Sequence, residues 1–379
     1  LPDFKKHFER VGKKLMSVFP VSKVISENSS EMLCNYKLLE NDHNVTVDVI
    51  EETGRGEGSK ENPFYMGKDV LHFLNYKGEF LKPCPGTREY ICCGYQILNV
   101  ATNCPLNCSY CILQYYFNNP HLRLHTNLSK ELPRVLEKID SQPEKIFRVG
   151  TGEFTDSLAM DPVARWTELL VPAFSKRKNA VLELKTKTTQ INGLLAAKER
   201  DRIIVSWSLN SPVISAREEH GAASIENRLR AARKCQEEGF KTAFHFDPLI
   251  LHDGWKEQYA RTVDLMARYV DPKKIIWISF GSFRFMPGLK PVLRKRHPET
   301  CILNGEFIMG LDGKMRYFKP IRIEMYAFMK EKLDEWYPDL GLYLCMESDE
   351  IWEKSMGWSP VENSGLARYL DGRVKKIFG

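Results

Sequence analysis

At 379 residues, 43% of them hydrophobic, the chain is long enough to bury a substantial core without disulfide support. Its 55 basic and 49 acidic residues leave a net charge of +6, too mild for a dedicated nucleic-acid coat but compatible with a polyanionic partner. No apolar run approaches the ~20 residues that cross a bilayer, and the charged start LPDFKKHFER lacks a secretory apolar region, so no membrane association is expected and a cytoplasmic protein with reduced thiols is.

In chain order, residues 1–95 read as an irregular N-terminal extension, in which the Gly- and charge-rich stretch Glu51–Pro63 is expected to be an exposed loop. From about Tyr95, strand-length apolar runs alternate with amphipathic helical stretches. KIFRVGTGE precedes a helix through Trp166 to Phe174, AVLELKTK precedes INGLLAAKE, and RIIVSWSLN precedes a helix around Ile225 to Glu238. KTAFHFDPLIL then precedes a helix through Tyr259 to Tyr269, before a last run, KIIWISFGSFR. This order predicts an α/β fold with a parallel sheet closing a full or partial barrel over residues 96–300. Functional groups should then lie at the C-terminal strand ends, where Gly150, Gly152, Glu153, Lys185, Lys187, Ser206, Ser208, Asn210, His245, Asp247, Ser279 and Arg284 fall. The basic cluster Lys290, Arg294, Lys295, Arg296 and His297 reads as a solvated helix end. Residues 301–379 lose the alternation and are expected to form a C-terminal cap.

Three of the ten cysteines, Cys104, Cys108 and Cys111 in NCPLNCSYCIL, are spaced C-x3-C-x2-C. Thiolates on one tight loop suit a soft metal centre, and iron–sulfur clusters use such arrangements. A structural zinc would need a fourth ligand, for which Cys92 or Cys93 upstream is available. A four-iron cluster held by three thiolates instead leaves one iron open to chelate an amine and a carboxylate.

That spacing, with Tyr110 before the last cysteine, resembles the radical S-adenosylmethionine superfamily. The resemblance implies a partial (β/α)6 TIM-like barrel, a [4Fe-4S] cluster on Cys104, Cys108 and Cys111, and S-adenosyl-L-methionine cleaved reductively to a 5'-deoxyadenosyl radical, with an external electron donor such as flavodoxin or ferredoxin. Gly150, Gly152 and Glu153 of GTGE fall where superfamily members hold the methionyl amino group, although a glycine pair after a strand is also a common turn. Lys185 suits the methionyl carboxylate, and Ser208 and Asn210 suit carboxylate or ribose oxygens; the alternatives are a solvated strand-end charge and a turn.

NCPLNCSYCILQ, FTDSLAMD, LELKTK, SWSLN and FHFDPLILHDGW follow, in order, the landmarks of the spore photoproduct lyase family, whose members split a methylene-bridged thymine dimer in DNA. The resemblance covers about Asp48 to Tyr337. It implies cofactor contacts at Thr155, Asp156, Lys185 and Ser208, and a radical relay at Tyr110. The family's hydrogen-donor cysteine is missing from GTGEFTD, and Ile112 replaces its second relay tyrosine. Its lesion-contacting Arg-Tyr pair is matched only by a displaced Arg316 and Tyr317. Cys92 and Cys93, with Cys84, are either substitute donors or small buried hydrophobes. Asp247 is expected at the substrate site, whereas His245 and His252 read as hydrogen-bonded structural residues. The implied substrate is DNA or a nucleotide; a radical enzyme acting on a peptide or small metabolite, and a zinc-containing nucleic-acid-binding protein, are the competing readings.

Overall fold

The structure, a computed structural model, describes residues 21–27, 46–50, 68–87 and 89–379; the charged start and the loop expected at 51–63 lie outside them. An eight-stranded sheet, curled into a half-barrel, occupies the centre. Its strands neighbour one another in chain order: β1 (Leu81–Pro83), β2 (Gln96–Leu98), β3 (Phe147–Gly150), β4 (Ala180–Thr186), β5 (Ile203–Ser208), β6 (Lys241–Leu249), β7 (Ile275–Ser282) and β8 (Leu342–Leu344). β1 is antiparallel to β2, and every other neighbouring pair is parallel. Strands β3 to β7 fall on the five apolar runs picked out in the sequence. Every residue of β5 and β7 is buried, as expected where helices cover one face of a parallel sheet and side chains fill the other.

The outer helices follow from residue spacing. In the helix Ile225–Glu237 the buried Ile225, Leu229, Ala232 and Cys235 recur every three or four positions, and the Ser224 side chain caps the start by accepting from the Asn227 amide. This helix packs on β5 and β6, and the helix Asn363–Phe378 packs on β7. Among the described residues no helix is long and apolar enough to cross a membrane.

Two differences from the sequence expectations concern the flanks. The described part of residues 1–95 is not irregular: strands Thr46–Ile50, Lys23–Glu27 and Val70–Leu74 run parallel in a second sheet, extended by Leu122–His125 and then by antiparallel Ala101–Thr102. VLHFL at 70–74, apolar except for His72 and buried from Leu71 onward, is a run of the kind a buried parallel strand needs. At the other end, Leu342–Leu344 leaves the C-terminal segment to become β8, a strand three residues long that offers no period to read.

His125 joins the two sheets. It stacks on Tyr76 with ring centroids 4.3 Å apart, and its Nδ1 lies 2.9 Å from the carbonyl of Asn99, just beyond β2. Burial lowers its pKa from 6.5 to about 4, with Arg123 adding and the Asn99 carbonyl opposing. The fold therefore favours the neutral ring. Its contribution to stability is complete above pH 6.5 and is lost as pH falls through about 4, a change of about 3 kcal/mol. Urea midpoints measured across this range are expected to fall with acidification in the parent and to fall less in His125→Gln.

Candidate functional site

The cysteine loop is fixed at several points. After β2 the chain turns at Asn103, which has φ 73°, a left-handed conformation that Asn tolerates better than most residues. The Asn103 amide donates to the Pro120 carbonyl at 2.7 Å, while its Oδ1 accepts from the Cys104 amide. Asn107–Cys108 pairs antiparallel with Glu219–His220, setting Glu219 opposite Cys108. Arg296 reaches in from the basic cluster and donates to Gln114 Oε1 at 2.6 Å and Asn107 Oδ1 at 2.8 Å. At least this member of the cluster holds the loop rather than facing solvent.

Cys108 is buried, and Cys104 and Cys111 are half-buried. Burial pushes the Cys104 thiol up to about 12, with Asp156 adding and Lys68 opposing; Cys108 is raised by burial against the pull of Lys187. Coordination to a metal centre removes such protons outright. The three thiols share one loop, where Cys111 bears electrostatically on both Cys104 and Cys108. Three thiolates so placed suit a cluster that leaves one iron without a protein ligand.

Tyr110 is buried, with its hydroxyl bonded to Glu219. Glu219 also pairs with Arg228 at 2.5 Å, both side chains being fully buried. The Lys187 ammonium lies 5.7 Å from the centroid of the Tyr110 ring.

At the end of β3 and just beyond it the chain carries Gly150, Thr151, Gly152 and Glu153. A Cβ on Gly150 would lie 1.3 Å from Tyr95 Oη, and one on Gly152 would lie 2.9 Å from Lys185 Cβ. Close packing by this chain's own side chains therefore accounts for both glycines. Gly150→Ala is expected to destabilise by about 1–3 kcal/mol through overpacking, and adding Tyr95→Leu should recover part of that loss in urea unfolding.

Glu153 accepts from Lys185 Nζ at 2.8 Å, both side chains being partly exposed. Burial works against the Lys185 charge, but Glu153 outweighs it, helped by Glu183 and Asp247, and holds the ammonium above its ordinary range. Asp156 is buried and accepts from the Leu158, Ala159 and Lys187 amides and the Thr186 hydroxyl. It thereby clamps the loop after β3 onto the end of β4. Thr155 is buried and its Oγ1 has no hydrogen-bond partner among the described residues.

Deeper in the half-barrel, Glu183 meets His245 Nε2 at 2.7 Å, and His245 Nδ1 meets Ser279 Oγ at 2.7 Å. Burial works against the Glu183 charge, yet His245 and Lys185 hold its pKa below the usual value. Asp247 accepts two bonds from Arg284, at 3.2 and 3.1 Å, and that guanidinium lowers its pKa despite burial. Arg284 also reaches Cys345 Sγ at 3.5 Å. Charge interactions place Cys84 beside Glu153 and Cys93, and Cys93 beside Arg148 and Glu153. Cys92 instead lies toward Thr87, to whose carbonyl its thiol donates.

Three assigned residues already make hydrogen bonds within the chain. Asn210 donates to the Pro248 carbonyl and accepts from Tyr259 and the Ser211 amide. Arg316 is 1% exposed and is held by Asp312 and the Met346 carbonyl. Tyr317 is fully buried, stacked on Phe307, with its hydroxyl oxygen accepting from the Leu251 amide. Ser208 is buried at the end of β5. His252 contacts Ser211 and the Asp253 carbonyl, as a structural histidine would. Cys345, which follows β8, was missed because its strand was not recognised; Glu219, Arg228 and Tyr95 gave no motif to find.

Residues 91–340 match the family described as Spore photoproduct lyase. The Spore photoproduct lyase of Clostridium acetobutylicum is 24% identical over 303 residues, 77% of this chain and 85% of that protein. That of Geobacillus sp. is 28% identical over 223 residues, 58% of this chain, and the match spans 63% of that relative. Among solved structures, a spore photoproduct lyase variant with dinucleoside spore photoproduct superposes with a TM-score of 0.75 at 22% identity, covering 86% of this chain and 99% of that one. Another, with bound AdoMet and dinucleoside spore photoproduct, gives a TM-score of 0.73 at 21% identity, covering 87% and 99%. At these identities the structural likeness establishes the fold.

Proposed function

Because the chain belongs to the spore photoproduct lyase family of radical S-adenosylmethionine enzymes, we propose that it splits a methylene-bridged thymine dimer in DNA, with Cys104, Cys108 and Cys111 holding a [4Fe-4S] cluster. When bound, the cluster and S-adenosylmethionine supply a carbon radical able to take hydrogen from an unactivated C–H bond. The observation that carries this reading is the trio of thiols gathered on one loop that follows a strand of the parallel half-barrel.

The chain's own part is to bind, orient and protect. The Lys185–Glu153 pair is partly exposed, so a zwitterionic methionyl group can exchange onto it, carboxylate to Lys185 and ammonium to Glu153. Thr155 offers an unpartnered hydroxyl, Asp156 keeps the loop closed over the strand ends, and Ser208 lies at the next strand end. We assign Asp247, held by Arg284, to the substrate side. Of Cys92 and Cys93, it is Cys93 that feels the Glu153 charge, and we assign it the return of a hydrogen atom to the substrate. Cys92 is the weaker choice, since its thiol is directed to Thr87.

The test is anaerobic incubation of the reconstituted protein with S-adenosylmethionine, a reductant and dinucleoside spore photoproduct. Release of thymidine that depends on the cofactor is the expected result. Formation of 5'-deoxyadenosine without any thymidine would reject the DNA-lesion substrate and favour a peptide or small metabolite. Run in D2O, the parent should place deuterium in the product, and Cys93→Ala should reduce that incorporation.

A further inference from the structure

Beside the strand that pairs with the cysteine loop lie three groups that this function does not use. His220 is the exposed second residue of the short strand Glu219–His220, opposite Asn107 in register. His297 closes the helix Leu289–Arg296 and is 3% exposed. Glu299 follows two residues later in the turn fixed by the Thr300 amide bonding to the His297 carbonyl at 3.0 Å. One ligand atom from each of the three lies within 4.8 Å of the others.

Packing alone explains this trio poorly. The two imidazoles are nearly parallel, with centroids 5.6 Å apart and planes 11° from each other. His297 Nδ1 and Glu299 Oε1 are 3.9 Å apart, beyond hydrogen-bond length. His297 Nε2 is buried without a hydrogen-bond partner among the described residues, and such a group normally costs about 1–3 kcal/mol unless something satisfies it. Near but unbonded donors are what a small cation draws together: around zinc, with bonds of about 2.0–2.1 Å, neighbouring ligand atoms stand about 3.3 Å apart.

We propose that His220, His297 and Glu299 form a second metal site, which takes a borderline divalent cation such as zinc or cobalt and is completed by water. Two imidazoles and one carboxylate suit that class rather than magnesium or calcium, which prefer all-oxygen sites. A bound ion would clip the turn after Arg296 to the strand that pairs with Cys108, so occupancy stiffens the cysteine loop from behind. The site does not depend on the chemistry assigned to the loop.

The experiment loads the reconstituted full-length protein with zinc, removes excess, and measures zinc and iron per chain, with affinity from competition against a chromophoric chelator. The expected result is about one zinc per chain beside the iron. His220→Ala and Glu299→Gln, both surface changes that leave the fold intact, should weaken zinc by at least ~10-fold, the size of effect carried even by an outer partner of a ligand, with iron content unchanged. His297→Gln is expected to do the same, and the two surface variants decide the matter if it fails to fold. Zinc affinity and content equal to the parent in both surface variants, or no zinc retained by the parent, would overturn the proposal. Because iron is read in the same samples, loss of the cluster is distinguishable from loss of this site.

Discussion

Cys104→Ala, Cys108→Ala and Cys111→Ala are each expected to reduce 5'-deoxyadenosine formation from S-adenosylmethionine to the enzyme-free background. Each removes one of three thiolates, and two cannot hold a cluster that three only just complete. Cys301→Ala is the control: this cysteine is exposed, with its thiol 3.8 Å from the Glu299 carbonyl. Its activity and iron content should match the parent. The measurement is product formation by anaerobic chromatography, with iron determined on the same samples. Background activity in Cys301→Ala, or retained activity in any of the three loop variants, would contradict the ligand assignment.

The second large effect is on stability. Arg228→Met is expected to cost about 3–5 kcal/mol, the penalty of leaving one member of a buried ion pair without its partner. Glu219 would keep only the hydroxyls of Tyr110 and Ser215, and Arg228 also donates to the carbonyls of Ala223 and Ser208. Burial works against the Glu219 charge, but Arg228, Lys187 and the Tyr110 hydroxyl hold its pKa below the usual carboxylate value. The pair's contribution is therefore present above the unfolded carboxylate pKa and is lost as pH falls through the lower folded value. In Arg228→Met the carboxyl should take up a proton at higher pH than in the parent. Adding Glu219→Gln should recover part of the loss, since the buried charge goes too. Urea unfolding with an unchanged m-value tests this; a loss below about 1 kcal/mol would reject the account of the pair.

Glu219 also shows where sequence reading stops. The cysteine spacing was legible because Cys104, Cys108 and Cys111 are neighbours in sequence. β3 to β7 were legible because continuous apolar runs separated by amphipathic helices permit few other folds. The Glu219–Arg228 support under Tyr110 was not, because it forms only once the strand Glu219–His220 pairs with Asn107–Cys108, more than a hundred residues away. Arg296 looked like any member of a charge run until Gln114 and Asn107 offered acceptors. For Asn210, Arg316 and Tyr317 the gap is of another kind. Their places in the motif order suggest ligand contact, but a sequence does not reveal that Tyr259, Asp312 and the Leu251 amide also bond to those side chains. Cys345 was hidden because three residues, Leu342–Leu344, are too few to announce a strand.

The most direct test of the central claim is metal and sulfide analysis of the parent protein after anaerobic reconstitution. About four irons and four sulfides per chain are expected, falling together in Cys104→Ala, Cys108→Ala and Cys111→Ala. Tightly bound zinc without sulfide, displaced by those same substitutions, would contradict it.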